Sequence, residues 1–415
     1  AKPGGTINDE LIAPIRPDVP VLEPGKTYLF EVVVRTVGIG HVLTQGTADS
    51  NQLWLDTKVV EKREDGERVI GRSGGRHPDD NAVDQWSHFI NAFVLDRNGD
   101  RISRRNAQDI FTPLYNNQIP PGAADVVHYK MTVPEDTTGP ITFDVKLQYR
   151  KFDTTYMRFV TDNEDYYNDL PITRMAHDSV TFPVRQSKST ATETVQRDKR
   201  DIPTWQRWND YGIGLFRKGD TGELRGAEDA FKRVEKLGHW HGLLNQARVY
   251  LKEGRIAHDA PEALRKARDF GEAPDGTRPY EWSLLWLTAQ VNKQNANLDD
   301  AISNFKQILE GGFEQAVGRG FDFTHDERLL NALADTLYLR ALQERGEANR
   351  DKREQLLREA VGYYEQALKL DTEDVKAHYG LVQVYSELGR TEKVEHHQKL
   401  HAKYKPDDNA RDKAI

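Results

Sequence analysis

The chain has 415 residues, enough for two or three domains at roughly 150 residues each, and its 58 Lys and Arg against 66 Asp and Glu leave a formal charge of -8. The acidic balance argues against a nucleic-acid partner, and a mean hydropathy of -0.75 without any run of ~18 apolar residues argues against a membrane helix. With no Cys in the chain, disulfides, thiol nucleophiles, Cys-ligated zinc or iron-sulfur clusters and covalent haem attachment are excluded.

The opening Ala1-Lys2-Pro3, without Met, reads as a processed product or a recombinant piece. From Pro20 to about Val184 the apolar residues alternate, most cleanly at Ile141, Phe143, Val145, Leu147 and Tyr149, and period two means strands with one wet face. Further strands are expected at Tyr28 to Arg35, Leu53 to Val60, Arg68 to Gly71, His88 to Leu95, Val126 to Val133 and Ser179 to Val184. Seven or so short strands predict an antiparallel β-sandwich over residues 1–184. Between two of them, Asn98-Gly99 predicts a tight turn with positive φ angles. Residues 185–200 are polar and aperiodic, so they predict a linker.

From residue 201 to 415 the period becomes helical and the sequence repeats at roughly 34 residues, the length of a tetratricopeptide repeat. Leu381, Val382, Tyr385, Gly389, Val394 and Pro406 mark the last unit. Ala360, Tyr364, Ala367 and Leu370 mark the second helix of the one before, with Leu333, Ala334 and Leu337 in its first helix and a charged insertion expected at Gln343 to Lys352. Earlier copies show Ala289 with Ala301, Phe305 and Ile308; Ala247, Tyr250 and Gly254 with Ala263, Ala267 and Phe270; and Trp208, Gly212 and Leu215 with Ala227, Phe231 and Val234. Small residues at fixed spacing let helices approach closely, so about five hairpins should stack into an all-α solenoid with a concave face. The fold class expected is α+β and multidomain, a β-sandwich followed by this solenoid.

Candidate chemistry is sparse. His41 lies in a Gly-rich polar loop and His88 opens a strand; either imidazole could donate to the haem iron of a partner. Asp162, Asp165 and Asp169 crowd one loop with the hard oxygens that calcium prefers, though without EF-hand spacing. His239 and His241 flank Trp240, and His396 and His397 point about 100° apart on one helix, a poor shared ligand sphere. There is no HExxH, no GxSxG and no phosphate-binding GK[ST] loop, so no catalytic constellation is read and the chain is not expected to be an enzyme. Trp54, Trp86, Tyr115 and Tyr129 leave open a carbohydrate-binding sandwich, and head-to-tail contacts leave open a filament or envelope subunit.

The run GHVLTQGTADSNQLWLD from Gly40 to Asp56, followed by VIGRSGG, by the segment DQWSHFINAFVLDRNGD and by VKLQYRKFDTTYMRFV, resembles large exported multihaem c-type cytochromes that carry tetratricopeptide repeats. The insertion Arg319-Gly320-Phe321-Asp322-Phe323 also looks like that family's. The resemblance spans about Leu11 to Asp407 but without any haem-bearing C-x-x-C-H module, so haem c could belong only to a partner or to a missing N-terminal module. It implies either the haem-free C-terminal part of a longer precursor or a paralogue that kept the scaffold. It also implies an extracytoplasmic location, in the periplasm or at the cell surface, and a scaffold or assembly role beside an electron-transfer system. The partner expected in the groove is a protein, a multihaem cytochrome or another copy of this chain.

Overall fold

The structure, a computed structural model, describes residues 11–16, 19–46, 49–185, 202–219 and 221–405. The linker expected at 185–200 lies outside these residues, except for Arg185. The chain forms two compact units, the first ending at Ala230 and the second beginning at Phe231.

The first unit holds eight strands among the described residues: β1 (Thr27–Arg35), β2 (Gln52–Arg63), β3 (Gly66–Ser73), β4 (Ala92–Leu95), β5 (Thr112–Asn116), β6 (Ala124–Thr132), β7 (Ile141–Arg150) and β8 (Ile172–Phe182). They make a four-stranded sheet in the order β3-β2-β7-β8 and two antiparallel pairs, β1-β6 and β4-β5. On β7 the residues at 141, 143, 145 and 147 are buried, and those between them are half-buried. That apolar row packs under the β1-β6 pair: Phe30 of β1 stacks on Phe143 with ring centroids 4.8 Å apart and meets Phe182 of β8 edge-on at 5.2 Å. One core of aliphatic and aromatic side chains therefore joins the two layers.

Two local expectations are corrected. The strand expected at His88 to Leu95 is formed only over Ala92–Leu95, and both its partner β5 and a helix α1 (Thr154–Thr161), capped by Asp153, were not anticipated. In the 96–100 turn only Gly99 takes a positive φ, at 89°. Asn98 does not need one, because the Asp96 carboxylate accepts from the backbone N–H groups of Asp100 and Asn98 at 2.9 and 2.8 Å and closes the turn with its side chain. Those bonds hold the Asp96 carboxyl below its ordinary range.

Arg150, at the end of β7, is fully buried, yet its guanidinium donates only to neutral acceptors: Gln52 Oε1 at 2.6 Å, the Asn81 carbonyl at 2.9 Å and the Asn168 carbonyl at 3.3 Å. Burial pulls its pKa down to about 10, so it stays charged at neutral pH and pins two long loops to the sheet.

Helix α2 (Thr204–Lys218) packs on β6 and β1 within the same unit. A Cβ on Gly214 would stand 2.5 Å from Val126 Cγ2, so only glycine allows this approach. Around it, Tyr211 donates to Glu31 at 2.9 Å, Arg35 pairs with Asp210 at 2.9 Å, and Arg217 donates to the carbonyls of Gln118 and Ala124 at 2.6 and 2.8 Å. Helix α3 (Thr221–Lys236) follows.

The second unit is helical. Its described residues contain four helical hairpins: α4 (His241–Lys252) with α5 (Asp259–Arg268), α6 (Glu281–Gln294) with α7 (Leu298–Glu310), α9 (Glu327–Gln343) with α10 (Arg350–Leu370), and α11 (Val375–Glu387) with α12 (Thr391–Tyr404); the short α8 (Glu314–Val317) lies between the second and third. Each hairpin touches the next. Ala247, Ala267, Ala289, Ala301, Ala334, Ala360 and Ala367, at the repeat positions, are all fully buried. Where a glycine replaces the alanine the fit is tighter: Gly242 has no room for a Cβ beside the Phe231 carbonyl, at 2.4 Å, and Gly380 none beside the Tyr364 ring, at 2.1 Å.

The charged insertion expected at Gln343 to Lys352 is shorter than read. Helix α10 starts already at Arg350 and runs 21 residues. Charge does not break a helix when opposite signs fall four apart, and Arg350, Glu354 and Arg358 make such a ladder at 3.3 and 2.8 Å.

Candidate functional site

Helix α7 ends at Glu310, and Gly311 and Gly312 follow with φ of 73° and 88°, a reversal that residues with a side chain rarely adopt. The chain then lays down Phe313, the single turn α8, Gly320 at φ 74° and the segment Phe321-Asp322-Phe323 before Asp326 caps α9 by accepting from Arg328 and Leu329 N–H. Asp322 closes this last loop by accepting from Thr324 N–H at 3.0 Å and its hydroxyl at 2.6 Å.

This insertion gathers aromatic rings over the start of α6. Trp282 has Phe313, Phe323 and Phe321 at centroid distances of 6.0, 6.1 and 6.3 Å, and stacks on Tyr280 at 4.7 Å. Phe313 meets Phe323 edge-on at 6.0 Å, and Phe321 lies nearly parallel to Phe323 at 6.2 Å. Arg319 spreads its guanidinium over the Tyr280 ring, 4.6 Å from the centroid, and donates to the Tyr280 hydroxyl, which ties the loop to α6.

Such a cluster would ordinarily bury its surface. Here Phe321 is 51% and Val317 66% exposed, and a cavity of about 260 Å³ opens between Leu309, Phe313, Ala316, Phe321 and Phe323. Its ionisable lining consists of two carboxylates, Glu310 and Asp322. The hydrogen bonds from Thr324 hold the Asp322 carboxyl below its ordinary range, so it carries its charge at neutral pH. Asp322 also faces His325 Nδ1 at 2.8 Å, and Glu310 has no ion-pair partner among the described residues.

A larger hollow of about 590 Å³ lies beside Asp299, Asp300, Arg340 and Glu344, and three of these four charges are spent on one another: Arg340 pairs with Asp299 and Glu344 at 2.8 Å each, and Lys352 closes on Glu344 at 2.6 Å.

The residues singled out in the sequence are scattered. His41 is exposed, its Nδ1 3.0 Å from the Val42 carbonyl. His88 Nε2 is held 2.7 Å from the buried Asp125 carboxylate, which Lys218 approaches at 3.4 Å, so this nitrogen already has its partner. Asp162 terminates α1 in a left-handed conformation, Asp165 N–H donates to Asn163, and Asp169 accepts from Tyr166 at 3.2 Å. Among the described residues no three His, Asp or Glu side chains come together as a metal cage. Trp54 is fully buried, with Nε1–H donating to the Gly74 carbonyl at 3.1 Å, which removes it from any sugar-binding surface, whereas Trp86 is exposed. His239 and His241 flank the buried Trp240, and burial pushes His241 down to about 4.

No protein-family model matches the chain, and no curated protein does. Among solved structures, one described as the crystal structure of MamA is 16% identical with a TM-score of 0.34, over 47% of this chain and 94% of that one. The Cut9-Hcn1 hetero-tetramer of the APC/C is 16% identical with a TM-score of 0.38, over 51% of this chain and 35% of that one. A human IFIT1 dimer with m7Gppp-AAAA is 18% identical with a TM-score of 0.35, over 47% and 42%. Overlaps this loose assign neither a partner nor a role, and none of them supports the cytochrome resemblance.

Proposed function

We propose that this chain is a protein-binding scaffold without catalytic chemistry of its own, that its helical hairpins are of the tetratricopeptide type, and that residues 311–326 form the grip. The observation that carries this reading is the half-exposed aromatic cluster of Trp282, Phe313, Phe321 and Phe323, built on hairpins whose own apolar faces are already satisfied by alanine packing. Clustered aromatic rings at a surface are the anchors that dominate protein interfaces.

A photoreactive residue at position 321 should trap one discrete protein adduct in the native extract, and Trp282→Ala should abolish it. Adducts of the same pattern from a photoreactive residue at the exposed Val69 would contradict the grip.

The resemblance in sequence extends the proposal to an extracytoplasmic setting with a multihaem cytochrome as the partner and haem c confined to it. That extension predicts a haem-staining adduct; a haem-free one redirects the partner and leaves the scaffold reading in place.

A further inference from the structure

We propose that the 260 Å³ cavity of the insertion takes a lysine or arginine side chain from a partner segment, its alkyl stem against Phe313, Phe321 and Phe323 and its cationic head at Glu310 and Asp322. This rests on the protein-binding reading and names the chemistry that the grip selects.

Three observations converge on a cation with an apolar stem. Phe313, Phe321 and Phe323 line the cavity together with Leu309, Ala316 and Val317, and a ring face attracts a cation through its quadrupole. Both ionisable groups in the lining are carboxylates, and the Thr324 hydrogen bonds keep Asp322 ionised, so an acidic side chain would enter against two like charges, whereas a cationic one would meet Asp322, which among the described residues pairs only with His325, and Glu310, which has no ion-pair partner there. The size fits as well: 260 Å³ is below the range of ordinary small-molecule pockets and suits one long side chain.

The same cluster already shows the contact in miniature. Arg319 lies on Tyr280 with its guanidinium 4.6 Å from the ring centre, on the ring that stacks against Trp282. The incoming side chain would repeat that arrangement one ring further out, in the cavity that Arg319 leaves open. The formal charge of -8 favours the approach of a cationic segment at low salt.

The test uses the full chain and four fluorescent heptapeptides in a Gly-Ser host, alike except for a central Lys, Arg, norleucine or Glu, with affinity read by anisotropy at low and high salt. Lys and Arg should bind about tenfold more tightly than norleucine, the Glu peptide should be weakest, and added salt should narrow the difference. Glu310→Gln with Asp322→Asn should erase the preference at unchanged melting temperature, because the amide oxygen that the second substitution introduces can still accept from Thr324; Phe321→Ala should weaken Lys, Arg and norleucine alike.

Norleucine binding as tightly as Lys would overturn the cation assignment while leaving an apolar anchor, and so the scaffold, intact. No binding by any peptide, or a cation preference that survives the double substitution, would overturn the site itself, and crosslinking from position 321 then decides the scaffold reading independently.

Discussion

The Nδ1 atoms of His378 and His397 lie 3.0 Å apart between α11 and α12, both side chains buried. His378 Nε2 is 3.2 Å from the Thr372 carbonyl, which can only accept, so Nε2 carries the proton and the bare His378 Nδ1 accepts from His397 Nδ1–H. A further proton would set N–H against N–H. His397 stacks on Tyr385, which donates to Glu365 of α10, and burial together with His378, His396 and Lys393 pushes His397 down to about 4.

The unfolded chain, with His at its ordinary value, binds more protons than the folded one between about 4 and 6.5, so stability rises with pH across that window and is lost as pH falls through it. His241 acts in the same direction. Urea denaturation of the full chain from pH 4.5 to 7.5 should show each histidine adding up to about 2.5 kcal/mol as pH rises, offset in part by the buried Asp210 carboxyl, which burial pushes up to about 6 and which acts in the opposite direction. His397→Gln should flatten the rise by about that histidine's share. An unchanged slope in that variant would remove the pair from the explanation.

Gly380 against Tyr364 makes a steric prediction. Tyr364 fills the groove between α10 and α11 and donates its hydroxyl to Asp335, so Gly380→Ala must displace either the ring or the helix. The expected loss is about 1–3 kcal/mol. Tyr364→Leu should be non-additive with it, and strictly additive losses in a double-mutant cycle would place the cost elsewhere.

Arg150→Leu should destabilise the first unit by about 1–3 kcal/mol, because Gln52 Oε1 and the Asn81 carbonyl lose their buried donor, whereas the Asn168 carbonyl keeps the Asn81 side-chain amide at 2.5 Å. Limited proteolysis should then cut between residues 77 and 84 or between 162 and 170, the loops this guanidinium holds. Resistance equal to the parent would show that those loops are held by other means.

Local periodicity was enough to find what depends on neighbours in sequence. The alternation at Ile141, Phe143, Val145 and Leu147 marks the buried face of β7, and the alanines at 247, 267, 301 and 367 mark close helix contacts. What escaped depends on residues far apart in the chain. Arg319 to Phe323 stood out as an insertion, but Tyr280 and Trp282 reach it only because α6 lies beneath the loop. His397 drew attention through its neighbour His396, whereas its hydrogen-bond partner is 19 residues earlier on the facing helix. The charged stretch before α10 misled because composition reports polarity, not whether opposite charges fall one turn apart.

The most direct measurement is the affinity of the partner trapped at position 321 for the full chain and for Phe321→Ala, a substitution at a half-exposed ring. Expected is a loss of about tenfold or more at an unchanged melting temperature. Equal affinities for the two proteins would contradict the assignment of residues 311–326 as the grip.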